Sequence, residues 1–205
     1  MKVERKPEGL PLVEYLQIEQ DLLQTVKEPM FFTWIVPPTV IYGRHQSVEV
    51  EVNEAYCAEH GIAVVQRKSG GGCVYADEGN LMVSFITPDT HSETVFAQFM
   101  DLLSGALQSM GYEVVTTQHN DVLVGERKVS GTACYTTSTG TIVHACILYD
   151  VNLDALEQAI TPPVAKLAKH AVASVRQRVM NLRAIRDLGT MTSFRRQLEE
   201  ELLMA

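Results

Sequence analysis

No two cysteines in this 205-residue sequence stand in a CxxC spacing, and Cys57, Cys73, Cys134 and Cys146 belong to no cysteine–histidine ligand pattern. Neither a disulfide framework nor a zinc site is expected, and a reduced, cytoplasmic setting is the simpler reading. Positive charge is also scarce. Seventeen Lys and Arg against 25 Asp and Glu give a formal net charge of −8, which argues against nucleic-acid binding as the main role. The longest uncharged apolar run, Met30 to Gly43, is short and broken by Pro37 and Pro38, so no membrane span is expected. The first eleven residues are charged and interrupted by proline, unlike a secretion signal. Neither common nucleotide-binding loop is present: GxxxxGK followed by Ser or Thr is absent, and so is GxGxxG.

What is there is a globular composition, 46 % hydrophobic and 20 % charged, with length for one domain spanning residues 1–205. Leu12, Tyr15, Leu16, Leu22, Leu23 and Val26 recur at helical spacing and predict an amphipathic helix. Phe31–Val36 and Val40–Tyr42 read as strands joined by the Pro-Pro turn. Asn53 is placed to cap a short helix that stops at Gly61, ahead of a strand to Gln66 and another over Leu81–Ile86. Thr90-x-x-Glu93 has the form of a capping box, opening a stripe from Val95 to Met110 that Gly111 ends. Tyr112–Val115 and Thr141–Tyr149 read as strands, and Leu153–Ile160 as a short helix stopped by Pro162-Pro163. A last helix carries Phe194, Leu198 and Leu202 on one face, with Ser193 as its expected cap. Strands in hairpins interspersed with helices imply an α+β fold rather than a doubly wound parallel sheet.

Two stretches carry chemistry. In Val64–Ser84, Gly70, Gly71 and Gly72 remove every Cβ over three residues, so backbone N–H groups can lie against phosphate or carboxylate oxygens. Arg67 and Lys68 stand at the entrance. A glycine-rich hairpin between strands explains the same residues without any ligand. In Asn120–Tyr135, alternating valines flank Gly125-Glu126 in the manner of a tight hairpin. Lys128 then falls beside Val129, Ser130, Gly131 and Ala133, too small to fill the space next to it; an exposed hairpin lysine is the plainer alternative.

Gln66–Asn80 and His119–Ala133, together with Ser174–Leu182 (SVRQRVMNL), Trp34 and the blocks Pro38–Ile41 and Gly43–Gln46, resemble the lipoate–protein ligase family. That family's catalytic domain is shared with biotin protein ligases and octanoyltransferases, and the resemblance covers about residues 12–185. It implies a class II synthetase-like fold with a mixed, largely antiparallel sheet packed with helices. It also implies an acyl-adenylate chemistry: lipoate and ATP give lipoyl-AMP, which a lysine of an acceptor domain then attacks. Acceptors in the family are lipoyl domains of dehydrogenase E2 subunits and the glycine-cleavage H protein.

By the same resemblance Lys128 matches the family's essential lysine, which bridges the acyl carbonyl and the α-phosphate. Ser69, Gly70, Gly71 and Gly72 would line the acyl chain and phosphate, Arg67 would pair with phosphate oxygens, and Asn80 and Asn120 would serve the loop or nucleotide. Ser130, Gly131 and Ala133 complete the lysine's strand, and Asp121 would hold magnesium (Mg2+). An Asx turn is the alternative for Asn120 and Asp121. Val74, Tyr75 and Val83 are candidates for the acyl tunnel, and His144, in a strand, serves equally as a core or a site residue.

The pattern departs from the family at Gln66, where an arginine is expected, and at Ala76, where a histidine is expected. No C-terminal accessory domain of the kind found in full-length ligases is expected in these 205 residues. A separate small accessory protein, use of preformed acyl-AMP, or acyl transfer between carriers would each accommodate that. The rivals are an ATP-independent octanoyl or lipoyl transferase, for which Cys73 or Cys134 would be the nucleophile, and a non-catalytic lipoyl-binding regulator. Between Gln158 and Arg186 the chain holds Lys166, Lys169, Arg176, Arg178, Arg183 and Arg186 and no acid, a candidate docking face for an acidic acceptor or simply a solvated face.

Overall fold

A computed structural model describes residues 1–117, 120–161 and 178–204. His119, Pro162-Pro163, Lys166, Lys169, Arg176 and the Ser174–Gln177 part of the third block lie outside the described residues. The frame is a seven-stranded sheet with the order β1-β2-β6-β10-β9-β8-β7. Its strands are β1 (Lys2–Arg5), β2 (Met30–Trp34), β6 (Asn80–Thr87), β7 (Val114–Thr116), β8 (Asp121–Val124), β9 (Arg127–Thr137) and β10 (Gly140–Leu148). Only β1 and β2 run parallel; every other pair in this sheet is antiparallel. A second sheet sets β3 (Thr39–Tyr42) between a parallel β4 (Ala63–Gln66) and an antiparallel β5 (Val74–Ala76). The fold is therefore mixed α+β and largely antiparallel, as expected.

Strand parity sorts the core. On β6, Leu81, Val83 and Phe85 face helix α4 (Ser92–Ser109) and the last helix (Met191–Met204). Met82 and Ile86 face the opposite side, under helix α1 (Leu12–Thr25). A third apolar cluster joins the small sheet to α3 (Glu54–Glu59) and α5 (Leu153–Ala159), while α2 is the short turn Val48–Glu51. Each apolar side chain this size stabilises the fold by about 1.5–3 kcal/mol when buried.

Four local expectations are revised. Pro37-Pro38 does join two strands, but they part into different sheets, because proline breaks the ladder between them. The Thr90 capping box does not form: α4 starts at Ser92 after His91, with no side-chain cap. The last helix is capped by Thr190, whose hydroxyl accepts from Ser193 N–H at 3.2 Å, so Ser193 lies inside the helix. The charged N-terminus supplies the edge strand β1. Asn53 does cap α3, accepting from Tyr56 N–H, and Gly111 takes φ +87° after α4. Among the described residues no helix is long and apolar enough to cross a membrane.

The last helix is fastened by charge as well as by Phe194, Leu198 and Leu202. Glu199, buried, accepts from Thr33, Arg5 and Arg195, and Arg195 also donates to the Thr33 carbonyl at 2.6 Å and to Glu8 at 2.7 Å. Burial pushes the Glu199 carboxyl up, but the bonds from Arg5, Thr33 and Arg195 outweigh it and hold the group below the usual range.

Candidate active site

A cavity of about 420 Å³ lies between the large sheet, α1 and the small sheet. Its wall combines apolar side chains, among them Leu12, Leu16, Trp34, Ile41 and Met82, with the polar and charged groups of Asn120, Asp121, Glu126, Lys128 and Arg178. An apolar chain with a charged head fits such a lining.

Lys128 reaches this cavity through a β-bulge. The register pairs Leu123 with Lys128 and Val122 with Ser130, leaving Val129 without a partner. The extra residue moves Lys128 onto the face of Gly131, which strict alternation would put opposite. Gly131 then has a steric purpose, since a Cβ there would lie 2.6 Å from Lys128 Nζ. Gly125 supplies the turn with φ +58°. The strand continues to a distant segment: Met180 N–H donates to the Lys128 carbonyl at 3.0 Å, and Lys128 bridges Val179.

The ammonium is 2.6 Å from Asp121 Oδ1, and the Arg178 guanidinium donates to Asp121 Oδ2 at 3.0 Å. Both cations are mostly shielded from water, so the pairs are stronger than surface bridges. Asn120 is the one described non-glycine residue at positive φ, +72°, a region asparagine tolerates. Its carbonyl accepts from the Thr132 N–H at 2.9 Å and hydroxyl at 2.7 Å, which locks Asp121 into register.

The glycine loop is organised by Arg67, which is buried with its donors turned onto carbonyls. It donates to Gly70 at 2.8 and 3.2 Å, to Gly72 at 2.7 Å and to Ile41 at 3.1 Å. Because a trans peptide points its C=O and N–H in opposite directions, the N–H groups of Gly71 and Cys73 face away from the guanidinium. Burial lowers the Arg67 pKa. Gly71 takes φ +95°, and Gly43 packs so closely beneath it that a Cβ on Gly43 would overlap the Gly71 carbonyl oxygen. Gly43→Ala is expected to shift the loop, lowering stability by about 1–3 kcal/mol and ligand affinity more steeply. Calorimetric titration of an acyl-adenylate analogue, beside a melting curve, checks it.

The cavity wall thus brings together Lys128, Arg67, Gly71, Gly72, Val74, Asn120, Asp121, Gly131 and Ala133. Six expected residues stand off it. Tyr75 points to the third cluster, because Val74 and Ala76 take the cavity side of β5; burial pushes its hydroxyl pKa up. Asn80 is wholly buried, donating to Cys146 Sγ and the Ile147 carbonyl, and accepting from Asp77 N–H. Ser130 is buried in β9, Gly70 lies beside Arg67, and Ser69 faces a smaller cavity of about 220 Å³. Val83 is replaced on the wall by Met82, again by parity. Gln66 donates at the surface to the Arg44 carbonyl at 3.3 Å, and Ala76 is buried in the core.

His144, weighed in the sequence as a core or site residue, lines the cavity beside a buried acid that escaped the sequence reading. Glu19 lies on the buried stripe Leu12–Tyr15–Glu19–Leu23 of α1, and an acid at that spacing is the signal that could have found it. It accepts from Ser84, whose hydroxyl oxygen also accepts from Trp34 Nε1 at 2.9 Å, and it stands 3.5 Å from His144 Nδ1. That separation lacks hydrogen-bond geometry, and His144 Nδ1 makes no hydrogen bond among the described residues. His144 Nε2 lies 3.2 Å from Ser69 Oγ.

Each Asp121 oxygen already carries a cationic partner, and Glu126 is the other carboxylate on the cavity wall among the described residues, so a magnesium ion at Asp121 would have to displace these partners and take most of its ligands from phosphate and water. None of the four cysteines is in a disulfide among the described residues. Cys146 is on the wall but burial pushes its pKa to about 12, and burial also raises that of Cys134, which stands off the wall. Of the basic run, Arg178 points into the site and Arg183 is bound to Asp150 and Asp187, so neither offers a free docking charge.

The fold and this lysine-centred cavity define a class, the ligase catalytic domains built on a mixed sheet. The family model for the lipoyl protein ligase A/B catalytic domain matches residues 11–203, and the chain belongs to that family. Lipoate–protein ligase 1 of Staphylococcus aureus is 37 % identical over 170 residues, covering 82 % of this chain and 52 % of that protein. A mouse mitochondrial lipoyl amidotransferase is 33 % identical over 158 residues, covering 76 % and 42 %. The chain spans about half the length of these relatives. Among solved structures, an archaeal bi-partite lipoate protein ligase from Thermoplasma acidophilum superposes with a TM-score of 0.83 at 24 % identity, covering 99 % of this chain and 81 % of that one. A lipoate–protein ligase A bound with ATP gives 0.82 at 21 %, covering 100 % and 85 %. At such identities the superpositions show a shared fold.

Proposed function

We propose that this chain acts as one lipoate–protein ligase catalytic domain in the cytoplasm, joining lipoate through lipoyl-AMP to a lysine of a lipoyl acceptor protein. The observation that carries this reading is the bulge that turns Lys128 onto the wall of a cavity lined by both apolar and charged side chains.

The chemistry follows from that placement. A carboxylate does not acylate an amine at neutral pH, because oxide is a poor leaving group. Here the lipoate tail would lie against the apolar side chains of the wall and its carboxylate oxygen would attack the α-phosphorus of ATP, releasing pyrophosphate. The acceptor lysine amine then attacks the acyl carbon, AMP departs with the C–O electron pair, and the amine loses a proton. Both steps build negative charge on oxygens beside Lys128, where a fixed cation in a water-poor site lowers the barrier. Arg67, its donors on carbonyls, serves this reading by shaping the loop rather than by pairing with phosphate. A second component could complete activation, in keeping with the word bi-partite applied to the archaeal ligase.

The test is lipoate-dependent exchange of pyrophosphate into ATP, measured with the chain alone and with an added acceptor domain. Exchange that disappears in Lys128→Ala supports an adenylating ligase; absence of exchange with transfer from synthetic lipoyl-AMP would remove the activation half. For a thiol-dependent transferase, half-buried Cys134 stands off the cavity wall with its thiol pKa raised by burial, and Cys73 lines the wall, so both positions are tested. Cys73→Ser and Cys134→Ser are expected to keep transfer from lipoyl-AMP within about twofold, while an acyl-thiol nucleophile would lose it by orders of magnitude; timed transfer assays decide.

A further inference from the structure

Arg178 lies in the third family block, Ser174–Leu182, but received no role in the site from the sequence. We propose that Arg178 is a second anion-contacting cation of the active site, and that Asp121 is the positioning residue that fixes Arg178 and Lys128 at a common spacing instead of ligating a metal. This deepens the ligase reading and rests on it for the identity of the anion, the phosphate of an acyl-adenylate.

Three observations carry it. Arg178 lines the same cavity as Lys128, although 50 residues separate them in sequence. The segment that brings it there is hydrogen-bonded to the lysine's own backbone, through Met180 N–H on the Lys128 carbonyl and the Lys128–Val179 bridge. One Asp121 carboxylate is divided between the two cations, Oδ1 to Lys128 at 2.6 Å and Oδ2 to Arg178 at 3.0 Å.

The charge arithmetic favours an anion. Two cations sharing one carboxylate leave a local excess of one positive charge on the cavity wall. Glu126, on the same wall, is exposed and therefore well screened by water. An ammonium has three N–H donors and a guanidinium five, so one bond to Asp121 leaves each able to reach an incoming oxygen. Held by a common carboxylate, the two donors are fixed relative to each other before a ligand arrives, which is the preorganisation that transition-state stabilisation needs. A metal at Asp121 would have to compete with both cations for its oxygens.

The test separates contact from structure. Wild type, Arg178→Lys, Arg178→Gln and Asp121→Asn are titrated calorimetrically with a sulfamate analogue of lipoyl-AMP, with and without magnesium, and melting curves establish that each is folded. Arg178→Gln is expected to bind the analogue ten- to a hundredfold more weakly, with Arg178→Lys recovering part of the loss. Transfer from lipoyl-AMP by Asp121→Asn is expected to lose kcat more than KM, and the magnesium concentration for half-maximal exchange to stay put. Equal analogue affinity in wild type and folded Arg178→Gln overturns the contact. A marked rise in the magnesium requirement of Asp121→Asn overturns the positioning role in favour of a metal ligand. If wild type itself binds no analogue, the ligase reading fails and this assignment with it; binding by wild type with unchanged variants sinks the assignment alone.

Discussion

Lys128→Ala is expected to lower the rate of acyl transfer from lipoyl-AMP by about 10²–10³-fold, or about 3–4 kcal/mol of barrier, the usual loss when a preorganised charge or donor is removed. The change leaves Asp121 paired with Arg178, so no carboxylate is stranded and the fold should persist. Unfolding midpoints close to wild type, beside the rate loss, are the expected pair of results. Lys128→Arg tests geometry at constant charge. A guanidinium is larger and planar, and Gly131 leaves only the room that an ammonium needs. It is expected to rescue little of the rate.

Glu199→Gln should act on stability instead, costing about 3–5 kcal/mol, because it removes the carboxylate that compensates buried Arg195 and binds Arg5. The pH dependence has a definite sign. The folded carboxyl is held below its unfolded value, so its contribution is present above the unfolded carboxylate pKa and is lost as pH falls through the folded one. Denaturant midpoints measured from pH 7 down to acid should fall for wild type, whereas this component of the slope should be absent in Glu199→Gln. Of the affected elements, β1 is the edge strand of the sheet and the last helix lies on the sheet face opposite the cavity. Ligand affinity of the folded variant is therefore expected to stay near wild type.

Much of this arrangement is written in the sequence, because periodicity and glycine placement are local signals. The α1 and α4 stripes, the Asn53 cap and the Gly125 turn could all be read from neighbouring residues. The unusual Lys128 could be singled out by its small neighbours, and Gly131 turns out to leave the room it occupies. What could not be read depends on contacts across the chain. Whether Met82 or Val83 faces the cavity is decided by which side of β6 α1 covers, and both sides are apolar. Arg67 looked like a phosphate partner because charge beside glycines invites an anion; the carbonyls of Ile41, Gly70 and Gly72 converge on it only after folding. Arg178 read as part of a basic run, and its direction was fixed by Asp121, 57 residues away. The Thr90 box failed for a smaller reason, since Asp89 rather than Thr90 caps the turn, binding His91 through its carboxylate.

The most direct measurement is the intact mass of a lipoyl acceptor domain after incubation with this chain and synthetic lipoyl-AMP, sampled over time against Lys128→Ala and a no-protein control. Catalysed transfer predicts a gain of one lipoyl group on a single acceptor lysine, fast with wild type and near the spontaneous rate with Lys128→Ala. Equal rates for wild type, Lys128→Ala and the control would contradict a lysine-centred acyl-transfer site.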